Sequence, residues 1–299
     1  MNILVAFNDG YTMPTHIMLK SVIANNKEDI NIYCLYDELT AESMAAIHQL
    51  EDHSNVHVYF IHVDNSLFKY APVHHHFSKE AYFRLLAHRF IDEKVDRILW
   101  LDGDTITNSS LKDFYYQDFD GKLFIAVEDM SLGKDEAKHI TLQIPTNTIY
   151  INSGVLLMNL CEMRQRVNDE EIFNYIKEHQ DLLEWVDQDV YNGMFYDEFK
   201  VISNEYWYNF IAERISFRNK KTVYSKAKVI HYCGKKKPWK KGYGDYGFDI
   251  YWKYGLLDNN EYIDVYKKAR LSHIIYRPLK VIKKLRDSIW SRQRAPYLT

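Results

Sequence analysis

Short continuous apolar runs alternate with amphipathic stretches over the first hundred residues. The runs predict buried strands at residues 3–7, 30–36, 56–61 and 97–101. The stretches between them carry apolar side chains three and four positions apart, which predicts a helix between each pair of strands. This alternation predicts an α/β fold in which a mostly parallel central sheet is covered by helices on both faces.

Two of the predicted helices have informative details. Thr40 stands where a side chain can cap the second helix. The third helix is predicted from an apolar stripe that includes Tyr82, Leu85 and Phe90, and Arg84 lies off that stripe. Arg84 is therefore expected on a different face of the helix from its apolar neighbours.

Polar residues follow two of the predicted strands. Asn8–Tyr11 come after the first strand, and Asp102–Thr105 come after the fourth. In sheets of this class, ligands bind outside the carboxyl ends of the strands. The functional site is therefore expected around these two segments.

Composition narrows the class of protein. The 299 residues are 46% hydrophobic and 26% charged, and the net charge of −3 gives no reason to expect a nucleic-acid partner. Three cysteines are too few for a disulfide framework, which favours a cytoplasmic protein. No apolar run approaches 18 residues, so no transmembrane helix is expected, and residues 1–7 are interpreted as a strand rather than a signal peptide.

The charge balance changes near the carboxyl terminus. Residues 264–299 contain ten Lys or Arg against two acidic residues. Apolar and aromatic residues interleave with these charges, which predicts a basic amphipathic helix suited to an anionic membrane surface. The alternative is a helix packed on the main domain with a solvated polar face. We predict a main domain over residues 1–250 and a helical tail over residues 251–299.

Asp102-Gly103-Asp104-Thr105 is the most informative motif. Two carboxylates on either side of a glycine can converge on one divalent cation, and such a cation can neutralise a leaving phosphate. The same letters occur in phosphatases of the haloacid dehalogenase type, where the first Asp is a nucleophile. Gly244–Asp249 match the later acidic motif of those enzymes, but their first motif lies on the first strand and this one follows the fourth. A plain Asp-Gly turn is a third interpretation.

Two further stretches carry candidate polar groups. Asn152-Ser153-Gly154 precedes an apolar run, where Asn152 can bind a sugar hydroxyl and Gly154 can admit a ligand close to the backbone. The alternative is a turn before a buried strand. Asp187 and Gln188 can supply hydroxyl-binding and reaction-centre groups, or Asp187 can simply cap a helix.

Histidines occur in two contrasting settings. His231 lies in an apolar run and is either a core residue or the third ligand of a Mn²⁺ site, and the lysines that follow it suit a diphosphate. Three consecutive histidines at 74–76 do not converge on one ion, so we interpret one of them as a residue that lines an acceptor pocket.

Taken in order, these motifs resemble glycosyltransferase family 8, which includes bacterial lipopolysaccharide α-galactosyl- and α-glucosyltransferases. The resemblance spans residues 1 to about 240. The matching segments are Asn8–Tyr11, Tyr82–Leu85, Leu99–Thr105, Glu128–Asp129, Asn152–Leu160, Asp187–Asp189 and His231–Trp239.

The resemblance implies a GT-A type nucleotide-sugar-binding fold and transfer of a hexose from a UDP-sugar with retention of anomeric configuration. It implies Mn²⁺, with Mg²⁺ as the alternative ion, held on the diphosphate by Asp102, Asp104 and His231. Asn8 stands where the galactosyltransferases are expected to have Asp. The resemblance also implies that Asn8 and Tyr11 contact uridine and that Gly103 lies near the ribose. The residues implied around the hexose are Arg84, Asp129, Asn152, Gly154, Asp187 and Gln188. Gly234 and Lys237 are implied at the phosphates, and His76 is implied on the acceptor side.

The implied catalytic residues are Gln188, Asp187 and Asp129. Because an amide oxygen is a weak nucleophile, front-face attack is favoured over a covalent intermediate, with Gln188 shaping the reaction centre. The expected acceptor is a saccharide or glycolipid such as lipooligosaccharide, with a protein-linked glycan as the alternative. The expected location is the cytoplasm, on the inner face of the cell membrane. A catalytically inactive nucleotide-sugar-binding protein is the alternative. The presence of all three implied metal ligands, Asp102, Asp104 and His231, argues against it. The sequence does not distinguish glucose from galactose as the hexose that is transferred.

Overall fold

The computed structural model describes residues 1–73, 78–204, 207–257 and 261–294, with the side chains of 279, 281 and 283–294 left out. The strands are β1 (Asn2–Ala6), β2 (Ile30–Tyr36), β3 (Val56–His62), β4 (Arg97–Leu101), β5 (Thr105–Thr107), β6 (Phe124–Glu128), β7 (Ile151–Asn159), β8 (Phe199–Ile202), β9 (Phe210–Ile211) and β10 (Val229–His231). The helices are α1 (Thr12–Asn25), α2 (Ala41–His48), α3 (Glu80–Phe83), α4 (Ala87–Phe90), α5 (Lys112–Tyr115), α6 (Glu136–Thr141), α7 (Leu160–Arg166), α8 (Asp169–His179), α9 (Val186–Met194), α10 (Lys220–Lys226), α11 (Phe248–Gly255) and α12 (Ile263–Arg294).

A seven-stranded sheet has the order β3-β2-β1-β4-β7-β6-β8. β1 pairs in parallel with β2 and β4, β2 with β3, and β6 with β8. β7 runs antiparallel to its neighbours β4 and β6. The predicted α/β fold with a mostly parallel sheet is confirmed, and β7 is its exception.

Apolar cores cover both faces of this sheet. Ile3, Val5 and Leu101 belong to one core, whereas Leu4 and Trp100, which alternate with them along β1 and β4, belong to the other. Successive strand residues point to opposite faces, so a strand buried on both sides reads as a continuous apolar run. This packing explains why the apolar runs located the strands.

The predicted third helix is interrupted. α3 and α4 are separated by a tighter 3₁₀ turn at Arg84–Leu86. The Tyr191 hydroxyl donates to the Arg84 carbonyl at 3.1 Å, and Arg84 is only 3% exposed. The sequence prediction of one continuous helix was therefore wrong, because the interruption accompanies an arginine that is buried in the interior. The predicted cap is confirmed, since the Thr40 side chain accepts from Ser43 N–H.

The chain divides into two compact units. One contains Met1–Phe210 and Ala227–His231, and the other contains Ile211–Lys226 and Tyr232–Thr299. The predicted helical tail is present as α12 in the second unit, whereas the boundary between residues 250 and 251 stays a prediction. None of the described helices is long and apolar enough to cross a bilayer.

The two faces of α12 differ. On one face His273 stacks on Phe248 with ring centroids 4.2 Å apart, and Lys280 pairs with Asp245. The opposite face carries apolar side chains that are more than half exposed, and we call these residues the outer stripe of α12. The outer stripe consists of Leu271, Ile274, Ile275 and Ile282.

Candidate active site

Strand pairing brings a histidine to the Asp-Gly-Asp turn. β10 runs antiparallel to β5, and their register places His231 opposite Thr105. Thr105 ends the turn that begins at Asp102, and its N–H donates to the Asp102 carbonyl at 3.1 Å. A short strand late in the chain therefore returns to the carboxyl end of β4, which is where the sheet topology predicts a ligand.

Asp102, Asp104 and His231 form a compact group. Nε2 of His231 lies 3.2 Å from Oδ1 of Asp104 and 3.5 Å from Oδ2 of Asp102. One ligand atom from each residue falls within 4.8 Å of the others, and the part of the chain that the structure describes holds no second group of this kind. Two carboxylate oxygens and an imidazole nitrogen are donors that suit Mn²⁺. The residues present therefore fit a divalent metal.

Arg84 fixes one oxygen of Asp102. Its Nη1 donates to Oδ1 of Asp102 at 3.0 Å and to the Ser153 carbonyl at 2.8 Å. Trp100 donates to the same Oδ1 at 2.7 Å, and its ring lies 4.4 Å from the guanidinium carbon. Burial lowers the pKa of Arg84, but Asp187 and Asp102 outweigh it, so the pKa lies above its usual value. Oδ2 of Asp102 is the oxygen that faces the histidine.

Asp187 pairs with Arg84 and does not cap a helix. α9 begins at Val186, and Oδ2 of Asp187 accepts from Nε of Arg84 at 2.6 Å. Val186 has φ of +45°, which is unusual for a β-branched residue and marks local backbone strain. Burial raises the pKa of Asp187 to about 6, although Arg84 opposes the shift. The capping interpretation was wrong because the neighbouring arginine takes the carboxylate.

Gln188 is held at both ends of its amide. Its Oε1 accepts from Ser153 N–H at 3.1 Å, and its Nε2 donates to the Tyr150 hydroxyl at 3.3 Å. The Tyr150 hydroxyl in turn donates to Asp189 at 2.6 Å, and Asp189 pairs with Lys138 at 2.9 Å. Sequence reasoning missed Tyr150 and Lys138, because an apolar or polar pattern does not show which buried groups bond to each other.

The Asn152–Gly154 segment lies inside β7 and is not a turn before it. A Cβ on Gly154 would lie 2.2 Å from Cε1 of His231 and 2.8 Å from Oδ2 of Asp102. The glycine therefore leaves room for the histidine, and its expected close approach to a ligand stays a prediction. Asn192 on α9 binds both the N–H and the carbonyl of Ile151, at 2.7 and 3.0 Å, which ties Gln188 and its helix to β7.

Asn152 and Asp129 bond to each other. Nδ2 of Asn152 donates to Oδ2 of Asp129 at 2.9 Å. Oδ1 of Asn152 accepts from Gly154 N–H at 3.0 Å and from Nδ2 of Asn209 at 2.7 Å. Asn209 was not identified from the sequence, where it stands in an aromatic stretch with no motif.

The segment after β1 forms a short 3₁₀ turn at Asp9–Tyr11. Oδ1 of Asn8 accepts from Gly10 N–H at 3.1 Å and caps that turn. A Cβ on Gly103 would lie 2.5 Å from Oγ1 of Thr15, so only glycine allows α1 to pack this closely on the Asp102–Asp104 turn. The contacts predicted for Asn8, Tyr11 and Gly103 with a nucleoside stay predictions.

Gly234 and Lys237 belong to the second unit. Gly234 has φ of +79° and lines a cavity of about 250 Å³ together with Lys235 and Lys236. Lys237 is 2% exposed, and its Nζ donates to the Tyr232 carbonyl at 2.7 Å. Their predicted contacts with phosphates stay predictions, and His76 lies outside the described residues.

The two acidic residues of the later motif, on which the phosphatase alternative depends, form ion pairs within the second unit. Asp245 pairs with Lys280, and Asp249 pairs with Lys220 at 2.7 Å, both within the second unit. The first motif follows the fourth strand of the chain, not the first. Nothing in the arrangement supports a phosphatase.

Comparison with known proteins assigns the chain to a family. Residues 2–242 match the model of Glycosyl transferase family 8. A putative glycosyltransferase of Haemophilus influenzae is 28% identical over 246 residues, which cover 81% of this chain and 73% of the relative. The lipopolysaccharide 1,2-glucosyltransferase of Escherichia coli is 24% identical over 304 residues, with 97% and 88% covered.

A solved structure shares the fold. The galactosyltransferase LgtC, in complex with donor and acceptor sugar analogues, superposes with a TM-score of 0.76 at 23% identity. The match covers 89% of this chain and 100% of that one. The common fold is the expected GT-A type. By the match over residues 2–242, the chain belongs to glycosyl transferase family 8 and is a glycosyltransferase.

Proposed function

We propose that the protein transfers galactose or glucose from a UDP-sugar to a saccharide acceptor with retention of anomeric configuration. The observation that carries this proposal is the group of Asp102, Asp104 and His231 at the carboxyl end of β4. A divalent-metal donor set at this place, in a member of family 8, suits a diphosphate donor. LgtC, which shares the fold, was solved with donor and acceptor sugar analogues.

Asp102, Asp104 and His231 would hold Mn²⁺, or Mg²⁺ as the alternative ion. The bound ion supplies positive charge that neutralises the departing UDP diphosphate. Arg84 and Trp100 keep Oδ1 of Asp102 engaged and leave Oδ2 for the ion. Gly234 and Lys237 contact the phosphates in this proposal, Asn8 and Tyr11 contact the uridine, and Gly103 lies near the ribose.

The hexose side requires polar groups that are held in place. The anomeric carbon becomes oxocarbenium-like as the bond to phosphate breaks, so fixed dipoles nearby stabilise the transition state. Gln188 is such a group, because Ser153 and Tyr150 hold its two ends. An active-site mutant of LgtC with glutamate in place of glutamine has been solved, which supports an active-site glutamine in that enzyme. We favour front-face attack, with Asp187, Asp129, Asn152 and Gly154 shaping the hexose pocket, Arg84 beside them and His76 on the acceptor side.

The proposed acceptor is a lipid-linked saccharide such as lipooligosaccharide. The Escherichia coli relatives are lipopolysaccharide 1,2-glucosyltransferases, and lipopolysaccharide is a lipid-linked saccharide. The outer stripe of α12 is apolar and exposed, and Lys267 and Lys268 lie near its amino-terminal end along the helix. Apolar side chains beside lysines suit the interface of an anionic membrane. We therefore propose that the enzyme acts at the inner face of the cell membrane, as a peripheral protein.

Replacement of a metal ligand tests the proposal. Asp104→Ala should abolish hexose transfer and metal-dependent UDP binding. Asp113→Ala, which removes an exposed carboxylate on α5, is the matched control and should leave both unchanged. Transfer at the wild-type rate by Asp104→Ala would overturn the assignment of the metal site.

A further inference from the structure

The two ring nitrogens of His231 have different partners. Nε2 faces the carboxylates of Asp104 and Asp102 at 3.2 and 3.5 Å. Nδ1 lies 3.2 Å from Oδ1 of Asn209, and the imidazole is 5% exposed. A neutral imidazole carries one proton, so the group beside Nδ1 decides whether Nε2 offers a lone pair to a metal.

An amide can present either its oxygen or its nitrogen to a histidine, and its other contacts decide which. Nδ2 of Asn209 donates to Oδ1 of Asn152 at 2.7 Å. That oxygen is identified by Gly154, whose backbone N–H can only donate and lies 3.0 Å away. The oxygen of Asn209 therefore faces Nδ1 of His231, and Nδ1 is the nitrogen that donates.

The direction of this chain of hydrogen bonds is set at Asp129. Its Oδ1 accepts from the N–H groups of Ser131 and Leu132 at 2.8 and 2.9 Å, and its Oδ2 accepts from Asn152. An ionised carboxylate can only accept, so the Asn152 amide cannot turn over without placing its oxygen against another oxygen. Asp129, Asn152, Asn209 and His231 are all at most 9% exposed, so each misplaced group would stay unsatisfied.

We propose that Asn209 is a positioning residue that holds His231 in the tautomer and ring orientation needed to bind a metal through Nε2. Asp129 and Asn152 act through Asn209, in addition to any contact that they make with the sugar. This inference rests on the proposed function, because it requires that His231 binds the ion. It adds a residue that the motifs of the chain do not contain.

The affinity of the full chain for Mn²⁺ alone tests the inference, with free Mn²⁺ measured by electron paramagnetic resonance. Asn209→Leu removes the acceptor and should weaken Mn²⁺ binding about 10- to 100-fold, the usual effect of losing such a partner. Asn209→Ala removes the same acceptor with less bulk and is the second variant if Asn209→Leu does not fold. Pulsed measurements should show the nitrogen coupling of a bound imidazole in the wild type and a weaker coupling in either variant.

Asn26→Leu is the matched control. Asn26 is 4% exposed, donates to the Val22 carbonyl at 2.8 Å and accepts from Leu111 N–H at 2.8 Å. Its replacement removes a similar number of buried hydrogen bonds and should leave Mn²⁺ affinity unchanged. In a His231→Ala background, Asn209→Leu should have no further effect on Mn²⁺ affinity. If Asn209→Leu acted through a general loss of stability, it would still lower Mn²⁺ affinity in that background.

The outcomes separate this inference from the proposed function. If Asn209→Leu and Asn209→Ala bind Mn²⁺ as tightly as the wild type while His231→Ala does not, Asn209 is not a positioning residue and the proposed metal site stands. If His231→Ala itself binds Mn²⁺ with wild-type affinity and coupling, the proposed metal site is wrong and the inference fails with it.

Discussion

Arg84 donates to Oδ1 of Asp102 at 3.0 Å, whereas Oδ2 of the same carboxylate lies 3.5 Å from Nε2 of His231. One oxygen thus belongs to the buried arginine and the other to the proposed metal site. Asp187 completes the arrangement by binding Nε of Arg84. Breaking a buried pair of this kind leaves a charge uncompensated, so the three side chains act as a unit.

The ionisation of Asp187 should set an acid limit for transfer. Burial raises its pKa to about 6 from an ordinary value of 3.8, while Arg84 opposes the shift. Between about pH 4 and pH 6 the folded chain keeps a proton that the unfolded chain has released, so this carboxyl contributes stability below pH 4 that is lost as the pH rises through 6. Activity has the opposite sign, because the ionised form holds Arg84. Transfer should therefore fall as the pH drops below 6.

Asp187→Asn checks this assignment. The variant should transfer more slowly at pH 7 and should lose the part of the acid limb that Asp187 causes, since an amide does not titrate. A kcat profile from pH 5 to pH 8 measures both effects. An acid limb at pH 6 that persists unchanged in the variant would assign the titration to another group.

Gly154→Ala should weaken metal binding by displacing His231. The added Cβ would lie 2.2 Å from Cε1 of the imidazole, so the ring must move. Mn²⁺ affinity should fall about tenfold or more. The clash is relieved in a His231→Ala background, where Gly154→Ala should cause little further loss of thermal stability. An equal loss in both backgrounds would show that the glycine is needed for some other reason.

Tyr150→Phe should slow transfer without weakening metal binding. Its hydroxyl connects Nε2 of Gln188 to Asp189, so its removal frees the amide to turn. Because small displacements of reacting groups reduce rates strongly, kcat should fall roughly 10- to 100-fold. Tyr115→Phe is the control, since the Tyr115 hydroxyl donates to the Arg97 carbonyl at 3.2 Å. Equal kcat for both variants would show that Tyr150 does not position Gln188.

The outer stripe of α12 should bind anionic vesicles. Ile274→Asp should lower the partition coefficient about tenfold or more, because burying one Ile side chain is worth about 1.5 kcal/mol or more. Ile140→Asp changes an isoleucine in the first unit that is 70% exposed and should have no effect. Sedimentation with vesicles of phosphatidylglycerol and phosphatidylcholine measures the difference. Equal binding of Ile274→Asp and the wild type would contradict attachment through this stripe.

The sequence predicted the sheet well because buried strands read as uninterrupted apolar runs. β2 and β4 begin and end at the predicted residues, 30–36 and 97–101. It also predicted that Asp102, Asp104 and His231 belong together, through the resemblance to family 8. The break between α3 and α4 was not predicted, because it accompanies the burial of Arg84, and a periodic pattern treats a charged residue as solvent-exposed.

The residues that orient the site were also not predictable. Asn209 and Tyr150 contribute through hydrogen bonds to residues distant in sequence, and neither stands in a motif. Asn192 is similar, since its amide binds the backbone N–H and carbonyl of Ile151, 41 residues away in the sequence. Polar side chains that serve other side chains have no periodic signature, so only the fold identifies them.

The release of UDP from UDP-galactose and from UDP-glucose, each with Mn²⁺ and with a chelator, tests the central claim most directly. Hydrolysis of one donor that depends on Mn²⁺ is the predicted result, and it would also identify the sugar. Metal-dependent UDP binding without turnover, even after saccharide acceptors are added, would indicate an inactive nucleotide-sugar-binding protein. Absence of UDP binding in the presence of Mn²⁺ would contradict the account.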